Sequence, residues 1–196
     1  MDKIVIGITG KSGSGKSTLA SELGRCIPNS TVINVDEINH EALCRPKILE
    51  RLKECFGNEI LDETGAVDRK KLGNIVFAER EKMQQLTEAT LFYISKRIKE
   101  IVTIASGVLI FDWILLPQHS VWSECDIKVL VHADLKARKE RVIVRDNITD
   151  EYFDAREKTS IEYSEEQFDY VFYNDYKESS INNMVKHIQS YIIKLN

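Results

Sequence analysis

Cysteine is scarce and scattered: Cys26, Cys44, Cys55 and Cys125 lie far apart, with no C-x-x-C pair. That spacing offers neither a zinc site nor a disulfide framework and predicts reduced, mostly packed thiols. Positive charge is not in excess either. The net charge is −4 at pH 7, which argues against a general nucleic-acid or membrane-surface binder, since such proteins meet phosphate with surplus Lys and Arg. Any anion site must therefore be local. Long apolar runs are missing as well. Residues 4–8 run straight into glycines without a basic flank, unlike a signal peptide, and 107–117 is broken by Asp112 and too short for a bilayer. A cytoplasmic address is the expectation. Repeats and low-complexity segments are absent, and so is an N-K-x-D guanine motif, which leaves a GTPase without support.

What remains is ordinary globular material: 196 residues, 43% hydrophobic and 30% charged, enough for one α/β domain with decorations but not for two domains of usual size. Short runs rich in Val, Ile and aromatics predict strands at 3–9, 31–35, 107–112, 127–132 and 170–173. Most are apolar without alternation, as strands covered on both faces are, and helical stretches separate them. The expected fold is three-layer α/β with a central five-stranded, mainly parallel sheet. Helical stripes occur at Ile48, Leu52, Cys55, Phe56; at Leu86, Thr90, Ile94, Ile98, Ile101; and at Ile181, Met184, Val185, Ile188, Ile192. Pro46 is expected to limit helix before Ile48.

Two excursions stand out. The stretch between the second and third strands is far longer than a crossover helix needs, and 134–167 is polar and charged. A single domain is expected, with its core at about 1–36, 102–133 and 168–196, a helical acceptor-binding insertion at about 37–101 and a lid at about 134–167.

Gly10-Lys11-Ser12-Gly13-Ser14-Gly15-Lys16-Ser17 matches G-x-x-x-x-G-K-[ST] in full, directly after a predicted strand and before a helical run. The glycines let the backbone turn its N–H groups inward around phosphate oxygens, and the positive end of the next helix adds to the pull. Lys16 is then placed for the β- and γ-phosphates, Ser17 for Mg²⁺ and Thr18 for the α-phosphate. ATP with Mg²⁺ is the expected nucleotide.

Asp36 closes the second strand and Asp112 the third, where ligands collect in open α/β sheets. Asp112 reads either as a Walker B carboxylate for Mg²⁺ or as the N-cap of the next element. Asp36 reads either as the base for an acceptor hydroxyl or as an N-cap. Arg138, Arg141 and Arg145 share i, i+3, i+7 spacing, so one helical face carries three guanidinium groups, with Arg156 further on. Lys136 and Lys139 read as a solvated face, with Glu140 at hand to pair.

These residues together resemble the dephospho-CoA kinase family over nearly the whole length. The resemblance rests on Ile6-Gly7-Ile8-Thr9-Gly10 leading into the P-loop and on Val32-Ile33-Asn34-Val35-Asp36 with His40-Glu41. It extends through Phe56-Gly57, Val67-Asp68-Arg69-Lys70-Lys71-Leu72-Gly73 and Ile75-Val76-Phe77, then Arg141 with Arg145-Asp146-Asn147, and Asp169-Tyr170-Val171 with Asn174. It implies a P-loop kinase that phosphorylates the ribose 3′-hydroxyl of dephospho-CoA, with Asp36 catalytic, Arg145 a lid arginine, Asn174 beside adenine, and His40, Arg69, Arg138 and Arg141 toward substrate or in the lid. Asn34 departs from the family's first D-A-D aspartate, Leu91-Phe92 from His-Pro and Trp113–Pro117 from P-L-L-F-E, and the lid's usual glutamine and lysine are not evident among Ser160, Ser164 and Glu165. The residues alone also admit a related kinase for a nucleoside, nucleotide or other small metabolite, and an ATP-binding regulator without efficient transfer.

Overall fold

The computed structural model describes residues 3–195. Five strands, β1 (Ile4–Thr9), β2 (Ser30–Asn34), β3 (Val108–Asp112), β4 (Ile127–His132) and β5 (Tyr170–Tyr173), form one sheet in the order β2-β3-β1-β4-β5. Every pairing is parallel. β1 and β3 are buried at every position, as their unbroken apolar runs require of strands covered on both faces.

Two cores make the outer layers. On one face, β1, β3 and β4 pack against α1 (Lys16–Cys26) and α8 (Glu178–Leu195) through Leu19, Leu23, Met184 and Ile188. On the other, Val5, Leu109 and Phe111 meet α2 (Val35–Leu43) and the long α5 (Arg80–Ile104), with Ile94 and Ile98 fully packed. The expected stripes therefore face the cores as read. Between α2 and α5 lie α3 (Pro46–Phe56) and α4 (Arg69–Val76), which close a separate apolar cluster of Leu43, Leu52, Phe56, Ile60, Leu72 and Val76. Pro46 does not hold the helix off until Ile48. It is the first helical residue, where its missing N–H costs nothing.

α6 (Leu135–Asp146) and α7 (Asp150–Lys158) fill the second excursion, between β4 and β5. α6 is capped by Asp134, whose side chain accepts from Ala137 N, and ends at Asn147 in the left-handed region. α7 packs across to the first excursion: a methyl group on Gly73 would run into the Tyr152 hydroxyl, and Phe77 meets Tyr152 edge-on with centroids 5.5 Å apart. Among the described residues no helix is long and apolar enough to cross a membrane.

Candidate active site

β1 ends at Thr9, and the chain turns through Gly10, Gly13 and Gly15, all with positive φ (152°, 81° and 96°). At Gly13 the need is also spatial: a Cβ there would meet Val142 Cγ2 at 2.7 Å and Arg138 O at 3.0 Å. Gly15 caps α1 in the left-handed region, so the helix begins at Lys16 with its free N–H groups facing the loop. The Ser14 hydroxyl is buried there without a protein partner, a group suited to a phosphate oxygen.

Lys16 Nζ lies 4.0 Å from Asp112 Oδ1, with both side chains nearly out of solvent. Asp112 is not an N-cap: a non-helical stretch follows β3, and the next short helix begins four residues later at Leu116. Burial pushes its pKa up, while Lys16 and a hydrogen bond from Ser17 pull it down and Asp36 and Glu37 push it up again. Its Oδ1 has no hydrogen-bond donor, the mark of a ligand position that the protein leaves to something else. No group of three or more His, Cys, Asp or Glu able to hold a metal occurs among the described residues. A metal at Ser17 and Asp112 would thus take most of its oxygens from phosphate and water, which fits Mg²⁺.

Asp36 sits in the first turn of α2 and is not its N-cap. Asn34 caps the helix, its side-chain oxygen accepting from Asp36 N at 3.0 Å. Asn34 therefore has a structural task at the position where it departs from the family pattern, and the Asp36 carboxylate is left exposed toward the site.

One cavity of ≈ 860 Å³ gathers Lys16, Asp36, His40, Arg69 and Arg145 from four separate parts of the chain. Arg69 Nη1 lies 3.0 and 2.7 Å from the two His40 ring nitrogens. Burial and then the Arg69 charge hold the His40 pKa down, against Asp36 and Glu37. Arg145 is gripped by Asp146 at 2.6 and 2.9 Å. Its pKa is raised by that pairing first, with the Asp36 charge contributing. Val76, Phe77, Leu86, Ile94 and Trp113 give the cavity an apolar lining beside these polar groups.

Arg138, Arg141 and Asn174 do not line this cavity. Arg138 is buried, bidentate to Glu157 at 2.8 and 3.0 Å, and donates to Ser12 O. Asn174 donates to Ser14 O at 2.8 Å, and Arg141 rests 4.3 Å from the Tyr176 ring centroid. Lys11 is drawn to Glu157 and Glu162. Glu157 thus ties the P-loop to both lid helices. It went unnoticed in the sequence because a single glutamate in a polar stretch carries no periodic or motif signal. Lys139 pairs with Asp150 and Asp154 of α7, not with Glu140.

The dephospho-CoA kinase family model matches residues 4–179 of the chain. The chain belongs to the dephospho-CoA kinase family. It is 35% identical over 156 residues to the dephospho-CoA kinase of Fusobacterium nucleatum, covering 77% of this chain and 78% of that one. With the dephospho-CoA kinase of Aquifex aeolicus it shares 34% over 177 residues, covering 87% and 85%. A crystal structure from Thermus thermophilus superposes with a TM-score of 0.74 at 26% identity, covering 97% of this chain and 98% of that one.

The departures from the dephospho-CoA kinase pattern have separate structural settings. Trp113 is buried and lines the cavity with Leu91, whereas Phe92 points away and is 82% exposed. Ile114 carries the carbonyl that accepts from Tyr163 Oη at 2.8 Å, and the same hydroxyl receives Thr9 Oγ1 at 3.2 Å. Ser160 lines the cavity with its hydroxyl buried and unpaired.

Proposed function

We propose that this chain transfers the γ-phosphoryl group of ATP in line to the ribose 3′-hydroxyl of dephospho-CoA, in one domain whose first excursion receives the acceptor and whose second closes over it. Lys16 and the P-loop N–H groups hold the β- and γ-phosphates, and Asp36 accepts the proton of the attacking hydroxyl. Arg145 meets the charge that spreads onto the transferred oxygens. Ser17 and Asp112 would hold Mg²⁺, which would supply neutralisation of phosphate charge. Arg69 and His40 face the acceptor's polar end, and the apolar lining shields the reaction from water. A cytoplasmic location accords with such a soluble substrate.

The observation that carries this reading is the convergence of Lys16, Asp36 and Arg145 on one cavity, which brings a phosphate-binding cation, a carboxylate and a second cation around one reacting centre. Coupled measurement of ADP release, with Mg·ATP in the presence and absence of dephospho-CoA and product mass checked as coenzyme A, tests it. Acceptor-dependent turnover of about 1–100 per second is the expected result. Faster turnover with a nucleoside or nucleotide would select a related kinase, and ATP binding without transfer to any acceptor would make the chain a regulator.

A further inference from the structure

Two walls of the cavity come from different parts of the chain. One is α5, through Leu86, Thr90 and Ile94; the other is the stretch after β3, through Trp113, Ile114 and Leu115. Where they meet, the seam is apolar, with Ile94, Ile98, Trp113, Leu116 and Val121 in one cluster. Apolar contact is non-directional and by itself leaves such walls free to slide. A buried polar group interrupts this seam. His119, 8% exposed, sets its Nε2 2.9 Å from Ser95 Oγ of α5, and its ring meets Trp113 edge-on with centroids 5.8 Å apart.

Both nitrogens of that ring are committed. The Val121 N–H donates to Nδ1 at 3.1 Å and so caps the short helix Ser120–Glu124. Nδ1 is therefore bare, and the ring proton sits on Nε2, donated to Ser95. A second proton has no place, because on Nδ1 it would confront the Val121 N–H and its charge would be buried. Burial accordingly holds the His119 pKa below its usual 6.5, with Glu124 pulling the other way. The charges beside its partners are engaged elsewhere: Lys96 and Arg97, next to Ser95, turn to Glu100 and Glu41, and Asp112, next to Trp113, faces Lys16.

We propose that neutral His119 is a positioning residue for the acceptor: it pins α5 to the Trp113 wall, fixes the width of the cavity between them, and lets go in acid. The inference rests on the reading of this cavity as the acceptor site. His119 does not itself line the cavity, so it acts through the two walls and leaves the P-loop alone. Its folded pKa lies below the unfolded value, so the pin is whole above about pH 6.5 and is lost as pH falls through the folded pKa.

His119→Asn tests the proposal, because Asn Oδ1 can replace Nδ1 as the cap of Val121 while the shorter side chain falls short of Ser95 and does not titrate. At about pH 8 this variant should raise KM for dephospho-CoA roughly two- to tenfold, the worth of one hydrogen bond, with kcat and KM for ATP unchanged. Ser95→Ala should reproduce that increase. Below about pH 6.5 the parent should approach His119→Asn, so that the ratio of their KM values shrinks toward one. His40, whose pKa is also held down in the same cavity, acts alike in both proteins and leaves the ratio alone. Without any substrate, Trp113 fluorescence in a Trp122→Phe background should titrate below about pH 6.5, and should stop doing so when His119→Asn is added. A KM ratio independent of pH, an equal rise in KM for ATP, or fluorescence that titrates just as well without His119 would each overturn the proposal. Because the fluorescence needs no acceptor, a chain that turned over no dephospho-CoA would fail the kinase reading without being mistaken for a failure here.

Discussion

Replacing Asp36 by Asn separates chemistry from folding at this site. The side chain is exposed, and the hydrogen bond that α2 needs at this position comes from the Asp36 backbone N–H to Asn34, which the substitution leaves alone. What stability loses is one negative charge in the first turn of a helix, about 0.3–1 kcal/mol. That loss is offset because Asp36 also repels the buried Asp112. For a chain of this size the melting temperature should fall by no more than about 4 °C. In the proposed mechanism catalysis loses its proton acceptor, a factor of roughly 10²–10⁴ in kcat, or about 3–5 kcal/mol of barrier. The assay is steady-state turnover at saturating Mg·ATP and dephospho-CoA beside a thermal melt of the same preparation. A loss in kcat below tenfold, or one matched by a large drop in melting temperature, would refute the assignment of Asp36 as base.

Two further outcomes test the lid. Burial pushes the Glu157 carboxyl up, but Arg138 and Lys11 more than offset this and hold its pKa below 4.5. A depressed folded pKa gives stability that is present above the unfolded value and lost as pH falls through the folded one. E157Q should therefore cost about 2 kcal/mol at neutral pH, because Arg138 is left buried without its counter-charge, and denaturant titrations should show the gap to the parent closing below pH 4.5; a gap independent of pH would count against the ion pair. Gly73→Ala should destabilise the parent by about 1–3 kcal/mol through collision with Tyr152, and distinctly less in a Tyr152→Ala background, where Phe77 Cε2 at 3.2 Å still faces the new Cβ while helix propensity favours Ala. A double-mutant cycle with no coupling between the two substitutions would mean that α7 does not rest on α4.

The local chemistry of the chain was legible before any fold. The P-loop is contiguous, so its glycines, Lys16 and Ser17 announce themselves by spacing, and the apolar runs of β1 and β3 state that both faces of the sheet are covered. The three helical stripes found their cores for the same reason, since periodicity records which side of a helix meets apolar neighbours. Tertiary structure alone decided what depends on distant partners. That Asn34 and not Asp36 is a cap follows from where β2 ends and α2 begins, a boundary that hydrophobic pattern locates only to within a residue or two. The three arginines of α6 look equivalent in sequence but meet three different environments, because up to about 60° of helix rotation and roughly 10 Å of axial rise separate them, setting Arg138 against Glu157, Arg141 against Tyr176 and Arg145 beside the cavity. Glu157 gains meaning only when α7 lies against α6 and the P-loop, and Tyr176 only when β5 pairs with β4 and carries the turn after it onto the P-loop, over a hundred residues away in the chain. Pairing across such distances is set by the packing of the whole sheet, and no local pattern records it.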